Sequence, residues 1–124
     1  MSFQEAVRSA LIPNYANFNG RASRPEYWYF ILAIIIATVV ATIIDDYAIG
    51  EPVLETIVSL GTIIPSLSVG ARRLHDTDRS GWWQLIGIVP LIGVIVLIVW
   101  WVSAGSPGAN RFGPAPQGAR AAFA

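Results

Sequence analysis

The chain has 124 residues, eight arginines against eight acids, and no cysteine. Zero net charge leaves no overall field to attract nucleic acid, and the missing cysteine excludes disulfides, thiolate metal sites and cysteine catalysis. Charged residues make up 13% where soluble domains carry about 25%, and the 54% of hydrophobic residues fall in runs, which is the composition of one membrane domain.

The first segment lacks the basic start and long apolar core of a signal peptide. Ser2-Phe3-Gln4-Glu5 has the form of a capping box, and Phe3, Val7 and Leu11 recur every four residues up to Pro13. This predicts a short helix lying along the membrane surface, followed by a turn at "NFNGRAS", over residues 1–22.

Ser23-Arg24-Pro25-Glu26 repeats the capping signal, with Pro25 in the first turn, where its missing N–H costs nothing. Tyr27 to Ile44 then carries no charge. Eighteen residues make about 27 Å of helix, close to a bilayer core. A membrane helix is expected over 24–44, with Tyr27, Trp28, Tyr29 and Phe30 as an aromatic belt.

A second span, 53–71, is less apolar and contains Glu55 and Pro65. Thr62, Ser66 and Gly70 share one of its faces, as Ala33, Ala37 and Ala41 do in the first. Small residues at this spacing let helix backbones approach in lipid, so the two ladders are candidate packing surfaces.

The third apolar run, 82–102, begins at Trp82-Trp83 and ends near Trp100-Trp101. Pro90 interrupts it, and one kinked span is expected, with a re-entrant hairpin turning at "VPLIG" as the second reading. Residues 103–124 are rich in Gly, Pro and Ala and read as an irregular tail. The expected fold is therefore an all-α membrane protein of about three spans.

Between the second and third spans lies "ARRLHDTDRSGWW", where the charge is concentrated. The first connection, "DDYAIGEP", has no arginine. With three spans, a cytoplasmic N-terminus puts six arginines inside and two outside, so the positive-inside rule favours a cytoplasmic charged connection and an outer tail. A re-entrant third element would return the tail to the cytoplasm. Asp76, Asp78 and Ser80 are candidate helix caps in this connection.

"FNGRASRPEYWYF", "RRLHDTDRSGWW", "PLIG" and "PGANRFGPAP" occur in this order across nearly the whole chain. Together they resemble the bacterial inner-membrane family catalogued as Domain of Unknown Function 805. The resemblance implies a small multi-pass inner-membrane protein, with no established activity and no catalytic residue to carry over.

Arg21, Arg24 and Glu26 precede or begin the first span on the side where Arg72, Arg73, His75, Asp76, Asp78 and Arg79 end the second. These residues are a candidate electrostatic cluster. It would either stabilise the fold or clamp a phosphate, on a lipid or on a small anion. A metal at His75, Asp76 and Asp78 is disfavoured by the single histidine, and no nucleophile motif accompanies His75. No catalytic, cofactor or metal residue is assigned.

The expected function is a non-catalytic accessory, scaffold or assembly component of a membrane complex. Anionic lipids and other membrane subunits, or further copies of the chain, are its expected partners. The alternative is an oligomeric transporter or sensor of a small molecule or lipid with an arginine-rich anion site. No acid lies at mid-membrane to serve a private pathway.

Overall fold

The computed structural model describes residues 1–116, all of whose regular elements are helical. Arg120 and the rest of the expected tail beyond residue 116 lie outside the described residues. Helix α1 spans Phe3–Leu11, α2 Arg24–Ile44, α3 Val53–Asp76 and α4 Ile92–Val102. Two of these, α2 with its extension to Ile49 and α3, are long and apolar enough to cross a membrane.

Helix α1 begins with both bonds of the Ser2–Glu5 capping box, and the Ser2 hydroxyl, followed by the Ser2 backbone N–H, holds the Glu5 carboxyl below its usual pKa. Its buried face is Ala6 and Ala10, small enough for α1 to lie close on α2, while Phe3 meets Tyr29 edge to face. Ser23 caps α2 through the Glu26 N–H, but the Glu26 carboxylate is taken by Arg72 and Ser9. The aromatic belt divides as well. Tyr27 and Phe30 are buried in the core with Ala10, Ala22 and Val69, while Trp28 packs beside them, half-buried.

Beyond Ile44 the chain widens into a π-helical turn, Asp45–Ile49. Asp45 is buried there, and its two carboxylate oxygens accept the N–H groups of Leu54 (3.0 Å) and Glu55 (2.9 Å). Those are orphan donors of the first turn of α3, so an acid of the preceding connection acts as its cap. Helices α2 and α3 then run antiparallel and in contact.

The expected end of the second span at residue 71 is a correction. Helix α3 continues to Asp76, so Arg72, Arg73, His75 and Asp76 form its buried last turns and not a loop. Only Ser80 of the expected caps behaves as one, accepting the Trp82 N–H. Asp76 is buried in ion pairs and Asp78 turns the chain at φ 61°.

The single kinked span over 82–102 is also corrected. Residues Gly81–Ile88 form a 3₁₀ helix, Val89 to Leu91 reverse the chain, and α4 returns. The observation that decides this is Trp83 against Trp100, edge to face with ring centroids 5.6 Å apart. A continuous helix would hold these residues about 26 Å apart. Pro90 cannot supply an N–H, and Leu91 takes a left-handed φ of 65°, which lets the strand-like link turn back. Helix α4 is about 16 Å long, about half a bilayer core.

Both limbs lie on the charged end of α3. Gly70 has no side chain because Gln84 and the Trp101 ring occupy the space beside it. Residues 103–114 fold back onto the end formed by Arg21, Arg24 and the last turn of α3, the end that holds the charged connection.

Candidate functional site: a buried arginine cluster

Every arginine of the cluster starts from the geometry of two antiparallel helices. The entry to α2 and the exit of α3 meet, joined by the Ala22 N–H to the Arg72 carbonyl at 2.9 Å. Arg72 and Arg73 are consecutive on α3, so their side chains leave about 100° apart and serve different neighbours.

Arg72 turns toward α1 and α2. It ion-pairs with Glu26, and its Nε donates to the Asn17 carbonyl at 3.1 Å. Its Nη2 is buried without a partner among the described residues. Arg73 is fully buried and turns toward α4. Its Nη1 donates to the Asp76 carboxylate at 2.7 Å, its Nε to the Trp101 carbonyl at 2.9 Å, and its Nη2 to the Ser103 carbonyl. Arg24 adds a long 3.4 Å bond to the Val102 carbonyl. The last carbonyls of α4 have no helical partner, and two cations sit at the negative end of its dipole to receive them.

Arg21 holds the tail. Its Nε donates to Asp76 Oδ1 at 2.9 Å, and its Nη groups donate to the carbonyls of Ser106 (2.7 Å), Gly108 (2.7 Å) and Gly113 (3.1 Å). Asp76 is therefore gripped by Arg21 and Arg73 on its two oxygens. Gly105 passes so close to this carboxylate that a side chain would collide with it.

The tail in turn caps α3. The Ser106 N–H donates to the Asp76 carbonyl at 2.7 Å, and Asn110 Nδ2 donates to the His75 carbonyl at 2.9 Å. Asn110 and Gly113 exchange backbone bonds across a tight turn that places Phe112 flat on His75, rings 4.0 Å apart and 2° from parallel. His75 Nδ1 donates to the Gly20 carbonyl at 2.9 Å. Asn110, Phe112 and Gly113 thus belong to the site. Sequence reasoning placed them in an irregular tail, though the "GANRFG" wording was a visible signal.

The remaining expected members stand apart. Asp78 pairs with Arg111 at 3.2 Å on the surface, and the Arg79 guanidinium lies 4.7 Å over the Trp100 ring. Of the small-residue ladders, Ala41 and Gly70 are buried, while Ala33, Ala37, Thr62 and Ser66 are half-buried. Gly70 faces the re-entrant hairpin.

This arrangement is a lock. Three guanidiniums and two carboxylates out of water are costly unless each is paired and its remaining N–H groups find acceptors. Here the acceptors are backbone carbonyls from the tail, the entry to α2 and the end of α4. The arrangement joins parts of the chain 51 to 92 residues apart, and except for Arg72 Nη2 its guanidinium nitrogens are engaged in that task.

Residues 15–114 match the family described as "Protein of unknown function (DUF805)". The chain belongs to this family. It is similar to the inner membrane protein YhaH of Escherichia coli K12, 47% identical over 112 residues, covering 86% of this chain and 93% of that one. It is also similar to YhaI, an inner membrane protein of the same organism, 41% identical over 109 residues, covering 87% and 92%. No solved structure matches. The DUF805 chain described here is a multi-pass inner-membrane protein, in keeping with its two long apolar helices.

Proposed function

We propose that this chain is a non-catalytic accessory, scaffold or assembly component of an inner-membrane complex, with its arginine-rich end in the cytoplasm. The observation that carries the reading is the lock itself. The Arg21, Arg72 and Arg73 guanidiniums are buried and bonded to Glu26, Asp76 and backbone carbonyls, and none of the three is presented to a solute. The outward faces of α2 and α3 carry exposed Ile35, Ile36, Val39, Ile57, Leu60 and Ile63, which suit lipid or the helices of another subunit.

The orientation follows from charge. Among the described residues no arginine lies at the end formed by Asp45, Asp46 and Glu51, and the tail arginine Arg111 joins Arg72, Arg73 and Arg79 at the other. The hairpin moves Arg111 from the outer to the inner count of a three-span topology, which strengthens the positive-inside argument.

The test is a native pull-down of the tagged chain from mild detergent. A stoichiometric assembly with a different membrane subunit is expected. A pure self-oligomer carrying a bound solute would contradict the accessory reading and favour a transporter or sensor.

A further inference from the structure

Beside the lock lies a groove of about 800 Å³ that plays no part in it. Leu67 and Ala71 of α3 form one wall, and Trp82 and Leu85 of the 3₁₀ limb form the other. Its rim is the Asn19–Gly20 turn with Arg111 and Phe112. Because it sits where α3 meets the charged end, its apolar walls belong at acyl-chain depth and its rim at headgroup depth.

Of its polar lining residues, His75 and Arg111 matter most. His75 is only 8% exposed, and its Nδ1 proton is committed to the Gly20 carbonyl, which in the neutral ring leaves Nε2 as an acceptor. Nε2 has no partner among the described residues and lies 3.5 Å from where a side chain at Gly81 would begin, on the groove wall. That leaves an acceptor available to a donor entering the groove. Arg111 is the only charged residue lining the groove among the described residues. Its Nε and Nη2 are engaged by Asp78, while its side chain remains 63% exposed. The rim is therefore positive, with a hydrogen-bond acceptor beside it and an apolar slot below.

We propose that this groove binds one anionic phospholipid from the surrounding leaflet. Its phosphate meets Arg111, a headgroup hydroxyl donates to His75 Nε2, and one acyl chain lies between Leu67 and Leu85. The phosphate is favoured by a charge-assisted bond at the rim, and the chain by covering apolar walls that water would otherwise wet. This site is separate from the buried arginines and does not depend on the accessory-component reading.

The experiment is native mass spectrometry of the delipidated full chain titrated with dioleoylphosphatidylglycerol. The wild type and a distant control, Arg8→Ala, are expected to take up one lipid at low ratio. Arg111→Ala should weaken that uptake about tenfold, the worth of one charged hydrogen bond. Leu67→Trp should block it by filling the slot. Asp78→Ala breaks the same surface ion pair but leaves the guanidinium at the rim, so it should bind at least as well as wild type. Equal uptake by all five proteins would mean annular lipid only and would overturn the site. Loss in Asp78→Ala equal to that in Arg111→Ala would overturn it too, by tracing the effect to the tail. So would saturation by inorganic phosphate alone, or equal uptake of dioleoylglycerol, which has no phosphate.

Discussion

Asp76→Asn is expected to lower the stability of the purified protein by about 3–5 kcal/mol, because it leaves two buried guanidiniums without their carboxylate. Arg21 and Arg73 approach Asp76 from opposite sides, and neither is open to water. The intact pairs need not add much net stability, since desolvating the charges offsets much of their attraction. Breaking one side is different: the remaining charges stay buried. Asp78→Asn is the comparison. Its pair with Arg111 is exposed, and such pairs contribute about 0–1 kcal/mol. Denaturation in detergent should separate the two variants clearly, and equal midpoints would count against a lock centred on Asp76.

Arg21→Lys is expected to release the tail although it keeps the charge. The planar fork of arginine reaches Asp76 and three tail carbonyls at once, and a lysine ammonium has neither the reach nor the number of donors to do so. Hydrogen exchange reads this directly. The Ser106, Asn110 and Gly113 amides are each bonded in the folded tail. Their protection should fall in Arg21→Lys to near that of an open loop, while amides in the middle of α2 keep theirs. Unchanged protection at all three would show that the tail is held by something other than Arg21.

What was legible in the sequence was local. A charge-free run and a Ser23 cap announce a membrane helix because both act within a turn or two of the residues that carry them. The all-helical membrane class follows from such signals. The hairpin was not legible, because Pro90 is compatible with a kink and with a reversal. The difference rests on who receives the carbonyls at the end of α4, and the answer, Arg73 and Arg24, comes from far along the chain. The run from Arg72 to Asp76 looked like a loop because charge usually marks water. Here each charge has a partner waiting on another segment, and a helix can carry them inside. The tail looked irregular for the opposite reason: Asn110, Phe112 and Gly113 form no repeating element, and their order appears only against the end of α3.

The most direct test of this account is the side of the membrane on which the tail lies. The chain has no cysteine, so single cysteines at Tyr47, Thr77 and Ala109 can be labelled in intact spheroplasts with an impermeant maleimide. Tyr47 lies in the exposed turn after α2, Thr77 at the end of α3, and Ala109 in the exposed part of the tail beyond the hairpin. The account predicts labelling of Tyr47→Cys from outside, and of Thr77→Cys and Ala109→Cys only after lysis. Labelling of Ala109→Cys in intact spheroplasts with Thr77→Cys protected would mean that residues 82–102 cross the membrane, and would contradict the arginine lock and the re-entrant hairpin together.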